Sequence, residues 1–310
     1  MSGTRGGVQK IIKETYTDAQ YIHCYAHKLN LVMAKAASVN RAVRIFFSNV
    51  QGICAFFSNS PQRTQILDDI VKKRLPRPVA TRWTYHSRTV NIFYNHREDL
   101  IKTMEHMTSS DEILNNETID QATGHLKKLK SQSFIFWLSF FQKIMPLSEI
   151  LFAQFQKISL DSSSIHETVT NFERNVSKVR NSIDVGVEEG PSYKKRKQED
   201  DRSEWKRQAV EVCDVITTQV KDRFEFSGHL VAASLFTPSK FSEYEKKIPV
   251  ETLKAANTLY TFLNMNQLKS ELETIYSAEE FKNMSGSVAL YQFMKETQLE
   301  STFSEVVKIL

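Results

Sequence analysis

The sequence predicts a mainly α-helical fold with a single short strand near its N-terminus, on three observations. Only 9 Gly and 7 Pro occur in 310 residues, few for the many turns of an all-β fold. Val39, Val43, Phe46, Phe47, Val50, Ile53, Cys54 and Phe57 recur at helical spacing over five turns, which turns one face of a helix toward a core. Phe134, Ile135, Phe136, Trp137, Leu138, Phe140 and Phe141 cover nearly every side of a helix, which places that segment at the centre of a bundle.

Val8, Ile11, Ile12 and Tyr16 mark a short opening helix, and Thr17-Asp18-Ala19 turns the chain into a strand at residues 21–24. From His27 a helix follows to about Ala37, with Leu29, Val32, Met33 and Ala36 on one face. Ser38 or Asn40 caps the next helix, and Ser60-Pro61 is an N-cap followed by proline at the first helical position. Pro76 and Pro78 hold an extended segment. Trp83 then starts a long helix whose face includes Val90, Phe93, Leu100, Ile101 and Met104. After a polar connection over residues 108–116 comes the aromatic helix, with Pro146 expected to kink or break it. Ser164 and Glu167 form a capping-box pattern for a helix carrying Ile165, Val169, Phe172 and Val176. Periodicity fails over residues 184–202, read as an exposed disordered loop. Trp205, Val212, Ile216, Val220 and Phe224 restore it, and short helices fill the rest.

A net charge of +5 is mild for this length; it permits weak nucleic-acid contact but is no dedicated DNA-binding footprint. Cys24, Cys54 and Cys213 are odd in number and lack paired spacing, which argues against a disulfide scaffold and for a reducing compartment. Cys24-x-x-His27 has no second pair to complete a zinc site. His23, His96, His106, His125 and His166 have no partner at ligand spacing, and adjacent acids such as Asp68 and Asp69 diverge on a helix. No metal is assigned. Met1-Ser2-Gly3-Thr4-Arg5-Gly6-Gly7 has no apolar run of a signal peptide, and the stretch 134–145 falls short of the ~20 apolar residues of a membrane helix. The expectation is an intracellular chain without membrane contact.

Two motifs carry a resemblance. Cys24-Tyr25-Ala26-His27-Lys28-Leu29-Asn30-Leu31 resembles the Cys-x-x-His and Leu-Asn-Leu block of hAT-superfamily DNA transposases. Pro78-Val79-Ala80-Thr81-Arg82-Trp83 is similar to the Thr-Arg-Trp motif of the same family. Leu230-Val231-Ala232-Ala233-Ser234-Leu235 and Pro238 resemble a segment late in its insertion domain. The likeness is to the zinc finger MYM-type protein 1-like group in particular. It implies a partial RNase H-like α/β core over residues 1–86, followed by the large all-helical insertion domain over residues 87–310.

Family chemistry uses three acids holding two divalent ions, magnesium or manganese, that clamp the reacting oxygens. In the resembling group the second aspartate lies just upstream of a Met-Ser-Gly step, and this chain begins Met1-Ser2-Gly3. The expectation is therefore that all three acids lie outside the chain, with no cofactor and no catalysis. A lone strand leaves its backbone unpaired, so residues 1–38 are expected to be poorly stabilised.

The resemblance places Cys24 and His27 beside the strand ends of DNA; a buried thiol and a capping imidazole are the plain structural alternative. Arg82 and Trp83 suit phosphate contact plus stacking on an unpaired base, or a buried indole with its arginine reaching solvent. Lys28 joins them as a weak DNA contact. Lys194, Lys195, Arg196 and Lys197 fit a nuclear-import signal, or a solvated charge run beside Glu199, Asp200 and Asp201. The reading is a silent transposase-derived nuclear protein that binds DNA weakly, or a protein partner through exposed apolar helix faces. The alternatives are a fragment of an active cut-and-paste transposase and an unrelated helical scaffold.

Overall fold

Apolar residues at helical spacing and polar side chains at helix starts decide where this chain coils. Asn40 Oδ1 accepts the Val43 N–H at 3.0 Å, Asn115 Oδ1 the Thr118 N–H at 2.9 Å, and Ser131 Oγ the Phe134 N–H at 3.2 Å. Each satisfies an amide that the helix itself leaves without an acceptor, typically about 1 kcal/mol. The computed structural model describes residues 7–16, 23–71, 75, 83–109, 115–157, 162–183, 193–224 and 229–310. Among the described residues the fold is mainly helical, with no strand.

The first ten helices are α1 (Val8–Thr15), α2 (Tyr25–Ala36), α3 (Arg41–Ser58), α4 (Pro61–Val71), α5 (Trp83–Asn95), α6 (Arg97–Ser109), α7 (Asn116–Lys130), α8 (Gln132–Phe155), α9 (Ser162–Asn181) and α10 (Tyr193–Arg223). The remainder are α11 (His229–Ala233), α12 (Phe241–Lys246), α13 (Val250–Leu259), α14 (Met265–Ser277), α15 (Glu279–Lys282), α16 (Ser287–Glu296) and α17 (Ser304–Val307). Two 3-10 turns, Ser234–Phe236 and Pro238–Lys240, join α11 to α12.

One apolar core runs from Tyr25 to Phe224 and a second from Ala232 to Val306. α8 is the axis of the first. Its Phe141 is fully buried, stacked on Phe46 at 5.5 Å and 4.7 Å from Phe47. α10 runs parallel to α8, since Phe136 meets Trp205 and Phe155 meets Phe224 at a constant offset. α2 runs antiparallel to α10: Tyr25 stacks on Phe224, and Asn40 Nδ2 donates to Glu211. α5 is antiparallel to α8, through Asn91 with Gln142 and Phe93 with Phe134.

Several expectations change here. The strand at residues 21–24 falls partly outside the described residues; His23 and Cys24 are not in a strand, and helix begins at Tyr25. The first core takes in residues on both sides of position 86 and ends at Phe224, and the second begins at Ala232. Sequence periodicity marks a buried face but not the helix it meets. Residues 25–36, expected to be poorly held, put Leu29, Val32, Met33 and Ala36 at zero exposure against α8 and α10. Residues 193–202 are helical rather than loop, as the first part of α10; residues 184–192 lie outside the described residues. The long helix from Trp83 is two, with a turn at His96 that lets α5 pack on α8 while α6 packs on α4 and α7.

α8 continues through Pro146 unbroken, 24 residues in all. Pro146 is exposed, so the carbonyl it leaves unbonded faces water rather than core. By length and composition α8 could cross a bilayer, yet half of its most apolar window is buried inside the bundle. That is the pattern of a core helix.

His125 on α7 meets the edge of Phe56 at 5.2 Å, and its Nδ1 is buried without a hydrogen-bond partner among the described residues. Burial, with Lys128 and Arg63 adding repulsion, pushes its imidazole down to about 4. The folded state therefore holds this ring neutral, while the unfolded chain protonates it below about pH 6.5. Stability is complete above that value and falls as pH drops toward 4, by about 3 kcal/mol at most. Urea melts of His125→Leu against the parent across this window check the point: the variant's acid slope should be shallower, and equal slopes would refute the assignment.

Candidate nucleic-acid interface at the head of helix α2

Helix starts expose amides that carry partial positive charge, and the cap residue of α2 leaves them without a side-chain acceptor. Cys24 is its N-cap, with no side-chain hydrogen bond to the first turn and no acidic residue in that turn. The Lys28 N–H closes the first turn on Cys24 O at 3.0 Å. Cys24, His27 and Lys28 stand at i, i+3 and i+4, one face of the helix. Cys24 and His27 are exposed and Lys28 is half-buried.

The opposite face explains why these three stay at the surface. Tyr25 turns inward, stacks on Phe224 with centroids 6.2 Å apart and meets Phe155 at 5.6 Å. Lys28 Nζ lies 5.5 Å from the Tyr25 ring centre and 5.8 Å from that of Phe224, a cation held by two aromatic faces. Burial lowers the Lys28 pKa from its ordinary value and pushes the Tyr25 hydroxyl up to about 12. The first turn thus holds no acid, and among the described residues this end carries a positioned ammonium, an exposed imidazole and an exposed thiol. Such an end can hold an anion. Among the described residues there is no group of three His, Cys, Asp or Glu that could hold a metal ion.

The Leu-Asn-Leu part of the block divides between core and surface: Leu29 is fully buried and Leu31 is 38% exposed. Cys54 and Cys213 are buried and free, while Cys24 is free and exposed. The buried-thiol alternative therefore does not describe Cys24.

Arg82 lies outside the described residues. Trp83 is the first residue of α5, and its backbone alone is described. Since α2 and α5 both run antiparallel to α8, their starts point toward the same end of the bundle. Lys194, Lys195, Arg196 and Lys197 sit in the first two turns of α10, whose far end carries Phe224. At about 1.5 Å per residue this separates them from Lys28 by roughly 40 Å along the helix. The structure thus brings Cys24, His27 and Lys28 together and leaves the basic run elsewhere.

Phe155 and Phe224, which position Lys28, escaped the sequence analysis. Both read as ordinary core aromatics, and no local signal joins residues so far apart in the chain. The Leu230–Pro238 resemblance falls on α11 and its 3-10 turns, where Ala232, Leu235 and Phe236 are core residues. No family model matches the chain, and no solved structure matches it.

Proposed function

We propose that this chain is a non-catalytic, transposase-derived helical module whose residual activity is weak contact with DNA at the head of α2. The observation that supports the reading is the start of α2, whose first turn holds no acid and whose cap residue makes no side-chain hydrogen bond, with Cys24 and His27 exposed and Lys28 held over Tyr25 and Phe224. The chemistry suits a phosphate oxygen rather than bond cleavage. Arg82 and Trp83 belong to the reading through their motif alone. It needs no cofactor. Nuclear residence belongs to it as well, with Lys194, Lys195, Arg196 and Lys197 as the import signal.

Phosphate contacts release counterions. Affinity for duplex DNA is therefore expected to fall steeply as salt rises, and Lys28→Ala should reduce the log–log slope by about 1. Flat affinity between low and moderate salt would instead favour protein association. A specific observation favours that second reading: Val8, Ile11 and Ile12 of α1 are 52%, 58% and 45% exposed, a solvent-facing apolar stripe. Activity of a longer transposase containing this segment is the enzyme alternative, and metal-dependent DNA cleavage by such a chain would support it. For import, the full chain with the four basic residues replaced by alanine is expected to leave the nucleus, and an unchanged distribution would remove that element.

A further inference from the structure

A cleft of about 830 Å³ opens between the first half of α8, the end of α9 and α10. Its lining includes apolar and aromatic side chains. The half-buried rings of Phe136 and Trp205 lie 5.8 Å apart at 41°, flanked by Ile135 and Ile183. The rim carries Lys143, Arg202 and Lys206 against one carboxylate, Asp201. Among the described residues none of these three cations forms an ion pair. Among the described lining residues, cations outnumber carboxylates three to one.

The parallel register of α8 and α10 adds a second source of positive charge. With Phe136 opposite Trp205, Arg202 lies level with the first turn of α8. There Ser131 Oγ caps the Phe134 N–H, and the amides of Gln132 and Ser133, first in the helix, have no acceptor within it. Ser131, Gln132 and Ser133 all line the cleft. The first turn of α8 and Arg202 are suited to an anion, with the Asp201 carboxylate beside them, and Phe136 and Trp205 to a planar ring, while Ser139 and Ser182 also line the cleft and offer hydrogen bonds. Few small molecules need all three, and the volume lies within the usual range for ligand sites, about 300–1,000 Å³.

We propose that this cleft binds a nucleoside phosphate, its base stacked on Trp205 and Phe136 and its phosphate held by Arg202 at the start of α8. Lys206, one turn on from Arg202, is a further cation, and Lys143 lies toward the other end of the cleft. The nucleotide is either free or one unit of a single strand; the recognising chemistry is the same. The site does not depend on the head of α2. That surface is at the other end of α8, about 28 Å away along the helix from Phe136 to Phe155, so either can fail without the other.

The test is calorimetric titration of the full chain with the four nucleoside monophosphates, with adenosine, with inorganic phosphate, and with a short oligothymidylate. Monophosphates should bind better than adenosine or phosphate alone, because ring and anion are held together. Trp205→Ala should weaken binding about 10-fold, within the range for a lost base stack, and Trp205→Phe should retain most of it. Arg202 is exposed, so Arg202→Glu tests the anion end without disturbing the core and should also weaken binding at least as much. Ile150→Ala, an exposed position of α8 outside the cleft, should leave it unchanged. Mononucleotide binding lost in both variants supports a free nucleotide; oligonucleotide-only binding lost in both supports a strand. No binding by any probe at millimolar concentration, or binding indifferent to Trp205→Ala and Arg202→Glu, overturns the proposal.

Discussion

Replacing Phe141 by alanine is expected to lower the stability of the first core by about 3–5 kcal/mol, the usual cost of a large aromatic deleted from a packed site. Phe141 is fully buried and touches Phe46, Phe47, Trp137 and Phe140. These rings come from α3 and α8, so the cavity could close only by moving two helices that other partners hold in place. Ile150→Ala on the same helix is the contrast. That side chain is 62% exposed, and its loss should fall within about 0.5 kcal/mol. Urea denaturation of both variants reads the difference. Equal midpoints would mean that α8 does not lie at the centre of a packed bundle, and its apolar composition would need another explanation.

Glu271→Ala should cost about 3 kcal/mol, but in the second core. The Glu271 carboxylate on α14 is 7% exposed. It accepts the N–H groups of Glu305 and Val306 at 3.0 and 2.9 Å, and so caps the start of α17 from a distant helix. Glu305 returns the arrangement by accepting the Asn264 N–H at 2.8 Å. Removing Glu271 strands two backbone donors away from water, at about 1–3 kcal/mol each. Glu271→Gln keeps an oxygen in place and should cost less. Native-state amide exchange distinguishes the cores: protection should fall across residues 265–310 and persist across α8. Uniform loss in both would show that the cores unfold as one unit.

The same corner responds to acid with a definite sign. A hydrogen bond from Lys308 and the Asn264 N–H hold the Glu305 carboxyl below its ordinary value. Its contribution is therefore complete above the unfolded-state pKa and is lost as pH falls through the lower, folded one. Acid thus weakens both cores, through neutral His125 in the first and ionised Glu305 in the second.

Much of the helical plan is legible in residues close together in sequence. The period of Val43, Phe46, Phe47 and Val50 identifies α3, and Asn40 starts it as a local cap. Ser60-Pro61 likewise starts α4, where Ser60 Oγ accepts the Arg63 N–H at 3.4 Å. Ser164 and Glu167 mislead slightly, because α9 begins at Ser162 and takes in both. The Cys24–His27 block reveals a helix start with exposed polar side chains. What surrounds it is not legible: Lys28 is placed by Phe224, nearly two hundred residues downstream.

By itself, then, the sequence determined that this chain is mainly helical, where α3 and α4 begin, and that Phe134, Trp137, Leu138, Phe140 and Phe141 lie in a core, though Ile135 and Phe136 are only half-buried. These are consequences of spacing within a few turns, where backbone geometry alone relates one side chain to the next. Only the tertiary structure decided that there are two cores rather than a boundary at residue 86, that α8 passes through Pro146, and that α8 and α10 run parallel with a charged cleft between them. An apolar stripe drives burial without direction. Which stripe covers which depends on the shapes of both faces, and that information is spread across distant parts of the chain.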